Sequence, residues 1–119
     1  MKIGIMGTGG IGGYFGGLLA RGGFDIHFVA RGKHRQAILE DGLQIVSSQG
    51  SFQVMIHVTS EPHEIGPVDL LLFCVKSYDT ESVARFAAPM IEQNTVVLTL
   101  QNGIDNADKL AREYGEERI

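Results

Sequence analysis

Six residues near the start of the chain, Gly7-Thr8-Gly9-Gly10-Ile11-Gly12, follow the spacing GxGxxG. Where such a run leaves a buried strand and opens a helix, each glycine has a task. The first allows a tight turn, the second lets a pyrophosphate come against bare backbone, and the third lets helix and strand pack closely. Unpaired amide groups at the helix start, with the helix dipole behind them, favour the anion. A glycine-rich chain also produces this spacing by chance, as a turn and nothing more. A loop of this kind that serves NAD is normally followed about 20 residues on by Asp or Glu, which bonds the ribose hydroxyls. Here that place belongs to Arg31, with Lys33, His34 and Arg35 behind it, while Asp25 sits at the wrong end of the same segment and Glu40 well beyond it. A guanidinium there suits a 2′-phosphate, and so NADP(H); a solvated basic loop is the competing reading.

Lys76 and Asn102 each follow a long apolar run, and at strand ends of a dinucleotide-binding sheet both side chains would project toward the bound cofactor. Asn102-Gly103 is equally a common turn pair, and Lys76 equally a solvated strand end. Hydride transfer to a carbonyl also needs a proton donor near the oxygen. No Tyr is followed four residues later by Lys, and no nucleophile and base form a recognisable pair, so Lys76 is the one strand-end candidate. His27, His34, His57 and His63 show no metal-ligand spacing with a third ligand and read as surface or core histidines.

These residues need a frame. Lys2–Met6 is a short apolar run, the kind buried on both faces of a parallel sheet. Ile11, Phe15, Leu18 and Leu19 then recur at helical spacing up to Gly22-Gly23. Gly12, Gly13, Gly16 and Gly17 lie inside that helix at about 1 kcal/mol each relative to Ala, a cost that only close approach to a ligand or to the sheet would justify. Asp25–Ala30 reads as a second strand, Lys33–Glu40 as a short helix, and Leu43–Ser47 with Phe52–Val58 as a hairpin or an irregular third strand. Val68–Lys76 is the strongest central strand, with Cys74 in it as a buried small hydrophobe. A helix carrying Val83, Phe86, Ala87, Met90 and Ile91 on one face follows, capped by Asp79 or Thr80 and ended or kinked near Ala88 by Pro89. Thr95–Leu100 is the next buried strand, and Ala107, Leu110, Ala111 and Tyr114 form a last helical stripe ending at Gly115. Strand and helix alternate, which predicts an α/β fold of Rossmann type: a doubly wound, mainly parallel sheet with helices on both faces.

The composition fits one such unit. At 119 residues, with 44% hydrophobic and 20% charged residues, the chain is globular and of single-domain size. Residues 1–119 therefore read as one dinucleotide-binding domain. Ten Lys and Arg against 14 Asp and Glu give a net charge of −4, which argues against a nucleic-acid partner. Ile3–Ala20 carries no charge over 18 residues, but eight of them are glycine, so neither a membrane span nor a secretory signal is expected and the location reads as cytoplasmic. A single cysteine excludes a disulfide framework.

Taken together, MKIGIMGTGGIGGYFGGLLARGG, HFVARG, FCVKSYDT and TLQNG resemble the amino-terminal domain of the ketopantoate reductase (2-dehydropantoate 2-reductase) family, almost end to end. The resemblance implies an NADPH-dependent reduction of ketopantoate to pantoate in pantothenate biosynthesis. It implies that Gly7 to Gly12 hold the pyrophosphate, Arg31 the 2′-phosphate, Lys76 the cofactor, and Asn102 both cofactor and keto acid. The family's helical carboxyl-terminal domain, which supplies the proton-donating lysine and most substrate contacts, is not in this sequence, so the chain resembles a fragment, inactive alone. Asp79 departs from the pattern, because a carboxylate just after Lys76 could repel a 2′-phosphate; it could also cap the helix. Two other readings stay open: a regulatory module that binds a dinucleotide without chemistry, and a related NADP-dependent dehydrogenase acting on another keto or hydroxy acid.

Overall fold

The structure, a computed structural model, describes residues 1–7, 10–47, 50–75, 80–101 and 106–119, with backbone only at Gly10, Ile11 and Ser47. Five strands form a parallel sheet: β1 (Lys2–Met6), β2 (Asp25–Val29), β5 (His57–Thr59), β6 (Leu70–Phe73) and β7 (Val96–Thr99). Their order is β5-β2-β1-β6-β7. The chain winds outward from β1 in one direction through β2 and β5, then returns to the other side of β1 for β6 and β7. That reversal is the doubly wound topology predicted from the alternation of elements, and it opens a crevice beyond the carboxyl ends of β1 and β6.

Alternation along the strands sends side chains to two cores. Ile3, Ile5, Ile26 and Phe28 face one layer, formed by α1 (Gly10–Arg21), α2 (Gly32–Asp41) and an antiparallel hairpin, β3 (Leu43–Ser47) with β4 (Gly50–Val54). Met6, Val29, Leu71 and Phe73 face the other, formed by α3 (Pro62–Ile65), α4 (Thr80–Phe86), a 3-10 turn at Ala88–Met90, and α5 (Asn106–Tyr114). The last carbonyls of α4 need partners outside the helix, and the Tyr114 hydroxyl donates to the Ala84 carbonyl at 2.7 Å, tying α5 to α4. Among the described residues, no helix is long and apolar enough to cross a membrane.

The apolar stripe predicted for α1 is split: Leu19 packs against the core, but Phe15 and Leu18 do not. Phe15 and Leu18 are 45% and 38% exposed, whereas Gly12, Gly13, Gly16 and Gly17 are buried. A Cβ on Gly12 would come 2.0 Å from the Gly7 carbonyl oxygen, and one on Gly16 would come 2.3 Å from Phe28 Cζ and 2.5 Å from Ile5 Cδ1. On Gly17 it would strike Ile45 of the hairpin at 2.7 Å. Of the two causes the sequence left open for these glycines, the sheet accounts for Gly12 and Gly16, and the hairpin for Gly17.

Other boundaries shift for local reasons. Phe52–Val58 breaks at Met55-Ile56: its first part pairs with β3 as the hairpin's return, and its last residues become β5, the true third parallel strand. Thr95–Leu100 is no fully buried strand, because β7 is a sheet edge with Val97 buried and Val96 and Leu98 exposed. Phe86 is exposed rather than packed with Ala87 and Met90, and Ala107 is exposed while Asn106, Leu110 and Tyr114 form the buried face of α5. The regular part of β6 ends at Phe73, and Cys74 follows it half-buried; burial pushes its thiol up to about 11.

Two outcomes are expected from this packing. Gly12→Ala forces a contact with backbone that cannot rotate aside, so an overpacking cost of about 1–3 kcal/mol outweighs the roughly 1 kcal/mol that alanine gains in a helix. Its urea midpoint should fall. Gly22→Ala, whose Cβ would meet nothing nearer than 3.4 Å, should leave the midpoint unchanged or raise it. Cys74 in the folded chain should react with iodoacetamide near pH 7 roughly 100-fold more slowly than in urea-unfolded chain, with the rate climbing toward pH 11. Equal rates folded and unfolded would contradict the burial argument.

Candidate functional site

The turn after β1 is short. Met6 closes the strand, Gly7 takes φ +94, and α1 is already helical at Gly10. Positive φ favours glycine, and a Cβ at Gly7 would also come 2.9 Å from the Cys74 carbonyl carbon. Gly7 is thus pressed between the ends of β1 and β6. No acidic residue occupies the first turn of α1, so nothing in that turn opposes an incoming anion.

A cavity of about 270 Å³ lies here, lined by Gly7 from the β1 turn, Ala30 and Arg31 from the end of β2, His34 from α2, and Val75 and Phe86 from the far side. Phe86 is exposed because it borders this opening. The structure therefore brings Gly7 and Arg31 to one cavity although 23 residues separate them in the chain, as the sequence predicted. Arg31 is exposed and extended, with φ −132 and ψ 162, at the amino-terminal boundary of α2. Among the described residues its guanidinium has no ion-pair partner. The basic run behind it divides: His34 faces the crevice, whereas Arg35 lines a separate cavity against β5 and has a buried Nε without a hydrogen-bond partner among the described residues. Thr8, Gly9, Lys76, Asp79 and Asn102 lie outside the described residues, and Gly10 and Ile11 enter only as the first backbone of α1.

What flanks the positions of Lys76 and Asn102 is well defined. Gln101 Nε2 donates to the Val75 carbonyl at 2.9 Å and to Thr80 Oγ1 at 2.8 Å. The Thr99 hydroxyl donates to Gln101 Oε1 at 2.9 Å, and the buried Thr80 hydroxyl donates to Asn106 Oδ1 at 3.0 Å. This chain of donors fixes which way the Gln101 amide points. It also ties the exit from β6 to the exit from β7, and the start of α4 to the start of α5. Sequence reasoning missed Gln101 and Asn106. The cue was available in the polar residues that interrupt apolar segments at both strand exits, and Thr80 was noticed as a helix cap.

Comparison with known proteins agrees with the geometry. Residues 3–119 match the family model described as ketopantoate reductase PanE/ApbA. A 2-dehydropantoate 2-reductase from Pyrococcus abyssi is 40% identical over all of this chain, which spans 38% of that protein's length. The crystal structure of 2-dehydropantoate 2-reductase from Geobacter metallireducens GS-15 superposes with a TM-score of 0.94 at 39% identity, covering 100% of this chain and 40% of that one. D-mandelate dehydrogenase, solved in a ternary structure with NADH and anilino(oxo)acetate, superposes with a TM-score of 0.90 at 28% identity, over 100% of this chain and 39% of that one. A strand order that reverses at β1, a glycine turn pressed against β6 and a match across nearly the whole sequence have one common explanation: the chain belongs to the ketopantoate reductase PanE/ApbA family.

Proposed function

We propose that residues 1–119 are the NADP(H)-binding domain of an oxidoreductase that reduces 2-dehydropantoate to pantoate in the cytoplasm. The observation that carries this reading is Arg31 at the cavity that also receives the Gly7 turn. The residues fit such a cofactor. Gly7 lines the cavity without a side chain, no carboxylate stands in the first turn of α1, and a cation occupies the place where NAD-selective chains carry an acid. Gly7, Thr8, Gly9, Gly10, Ile11 and Gly12 would form the pyrophosphate cradle, and Arg31 would take the 2′-phosphate. Lys76 would contact the cofactor beyond β6, and Asn102 beyond β7 would reach both the cofactor and the keto acid.

Bound there, the reduced nicotinamide supplies a hydride to the keto carbon. The chain's part would be to hold it in place: the glycine turn would receive the pyrophosphate, Arg31 the 2′-phosphate, and the Gln101 bridge would hold the exits of β6 and β7 together. The proton that the new alkoxide requires is not assigned to any residue of this chain. A small keto acid is the substrate class, and nucleic acid is not a partner.

A second reading has support in one observation. The structural likeness to D-mandelate dehydrogenase, solved with NADH, suits a hydroxy acid dehydrogenase of different cofactor preference. Cofactor selectivity separates the two. In a fluorescence titration NADPH should bind more tightly than NADH, and Arg31→Ala should weaken NADPH by roughly 10- to 150-fold, the loss of a charge-assisted contact of about 1.5–3 kcal/mol, with little change for NADH. Equal losses for both cofactors would assign Arg31 to the fold instead. For the reaction itself, a chain extended to the length of the relatives should consume NADPH on adding ketopantoate, and the 119-residue chain should not approach that rate. Turnover with mandelate-type acids but not with ketopantoate would favour the second reading.

A further inference from the structure

On the sheet's outer side, away from the crevice, three residues that the sequence treats as unrelated come together. His27 and His57 are register partners in the parallel pair of β2 and β5, so their side chains leave the same face side by side. The rings stack with centroids 4.7 Å apart and planes within 13°. Asp25, two residues before His27, shares that face, and its Oδ1 lies 2.8 Å from His27 Nε2. One ligand atom from each of the three residues lies within 4.8 Å of the others. The spacing in sequence hides this set, because His57 is 30 residues from His27 and reaches it through the edge strand that the sequence reading merged with the hairpin.

We propose that Asp25, His27 and His57 form a binding site for one divalent transition-metal ion of the zinc type, clamping the edge strand β5 to β2. Two imidazoles and a carboxylate are a ligand set that zinc takes, with bonds of about 2.0–2.2 Å and so about 3.4 Å between ligand atoms in a tetrahedron. The ligand atoms already lie within 4.8 Å of one another, and the two stacked rings must turn out of parallel for their nitrogens to converge on the ion. The ion takes the place of the proton between His27 Nε2 and Asp25; in the neutral ring that single proton is re-housed on Nδ1 by exchange with solvent, so the imidazole stays neutral and the carboxylate stays anionic. A cavity of about 310 Å³ opens beside the two histidines and gives a water molecule access to the fourth position. Glu64, which also lines it, is engaged by the Thr59 hydroxyl and is not a ligand here. Lys2, the cation that works against metal binding, has its ammonium on the Ile65 carbonyl. Asp25 and His57 open β2 and β5 and His27 lies at the middle of β2, none of them lining the candidate cofactor cavity, so the ion's role is to brace the sheet edge.

The test uses tag-free chain freed of metal by chelator. Zinc competition against a chromophoric chelator should give one equivalent bound per chain, Co(II) should develop the visible bands of four-coordinate cobalt, and zinc should raise the thermal midpoint. His57→Asn, at an exposed position, should leave the metal-free midpoint unchanged while weakening zinc at least tenfold and abolishing the cobalt bands; Asp25→Asn should weaken zinc as well. His63→Asn, at the exposed pair with Glu61, should bind as the parent does. Absence of a stoichiometric site, or zinc binding equal in the parent and in His57→Asn, would overturn the proposal. None of these readouts depends on cofactor or turnover.

Discussion

From Gly12 to Gly17 the buried face of α1 is glycine alone, with Leu19 and Ala20 packing only farther along, and the rest of the structure depends on that. Gly12 and Gly16 let the helix lie on β1 and β2 at a distance no other residue would permit, since a single added carbon on Gly12 would meet the Gly7 carbonyl at 2.0 Å. This closeness fixes where the helix starts relative to the end of β1. It therefore fixes the turn at Gly7, and with it the floor of the crevice. Four glycines in a helix interior cost about 1 kcal/mol each by propensity, and the cost is offset where Ile5, Phe28 and Ile45 close over the bare backbone. The same contact serves stability and site geometry, so neither can be changed alone.

Strand order does the rest of the positioning. Because the chain turns back at β1, the ends of β2 and β6 flank the glycine turn, and residues far apart in sequence arrive at one opening from opposite sides. Arg31 comes from the β2 side, Val75 and Phe86 from the β6 side. The Gln101 carboxamide joins the exits of β6 and β7 through contacts that span 26 and 21 residues of sequence. Its two donors and its acceptor are all engaged, which makes it a specific cross-link between loops rather than filler.

Much of this frame was legible in the residues. Strands buried on both faces announce themselves as apolar runs, and β1 and β6 were visible for that reason, whereas β2 was visible through alternation and its strand-forming residues. The fingerprint was legible because it combines a rare spacing with a strand before it and a helix after it. Three features were not. Helical periodicity marks the face with large apolar side chains, and here the packed face is glycine, so Phe15 and Leu18 pointed to the wrong side. β5 is three residues long with only partial burial, too short to show alternation beside the hairpin strand that precedes it. The meeting of Asp25, His27 and His57 depends on the register of two parallel strands joined by a helix and a hairpin, and no local spacing encodes register across such a connection.

The hairpin inserted between α2 and β5 packs beside the sheet-facing side of α1, with Leu43 and Ile45 against Gly17. α1 is thus held by the sheet through Gly16 and by the hairpin through Gly17, while Phe15 and Leu18 stay exposed. A helix braced on two adjoining sides has little rocking or sliding freedom to surrender if a ligand docks at its start. Much of the ordering entropy is then settled at folding rather than at binding.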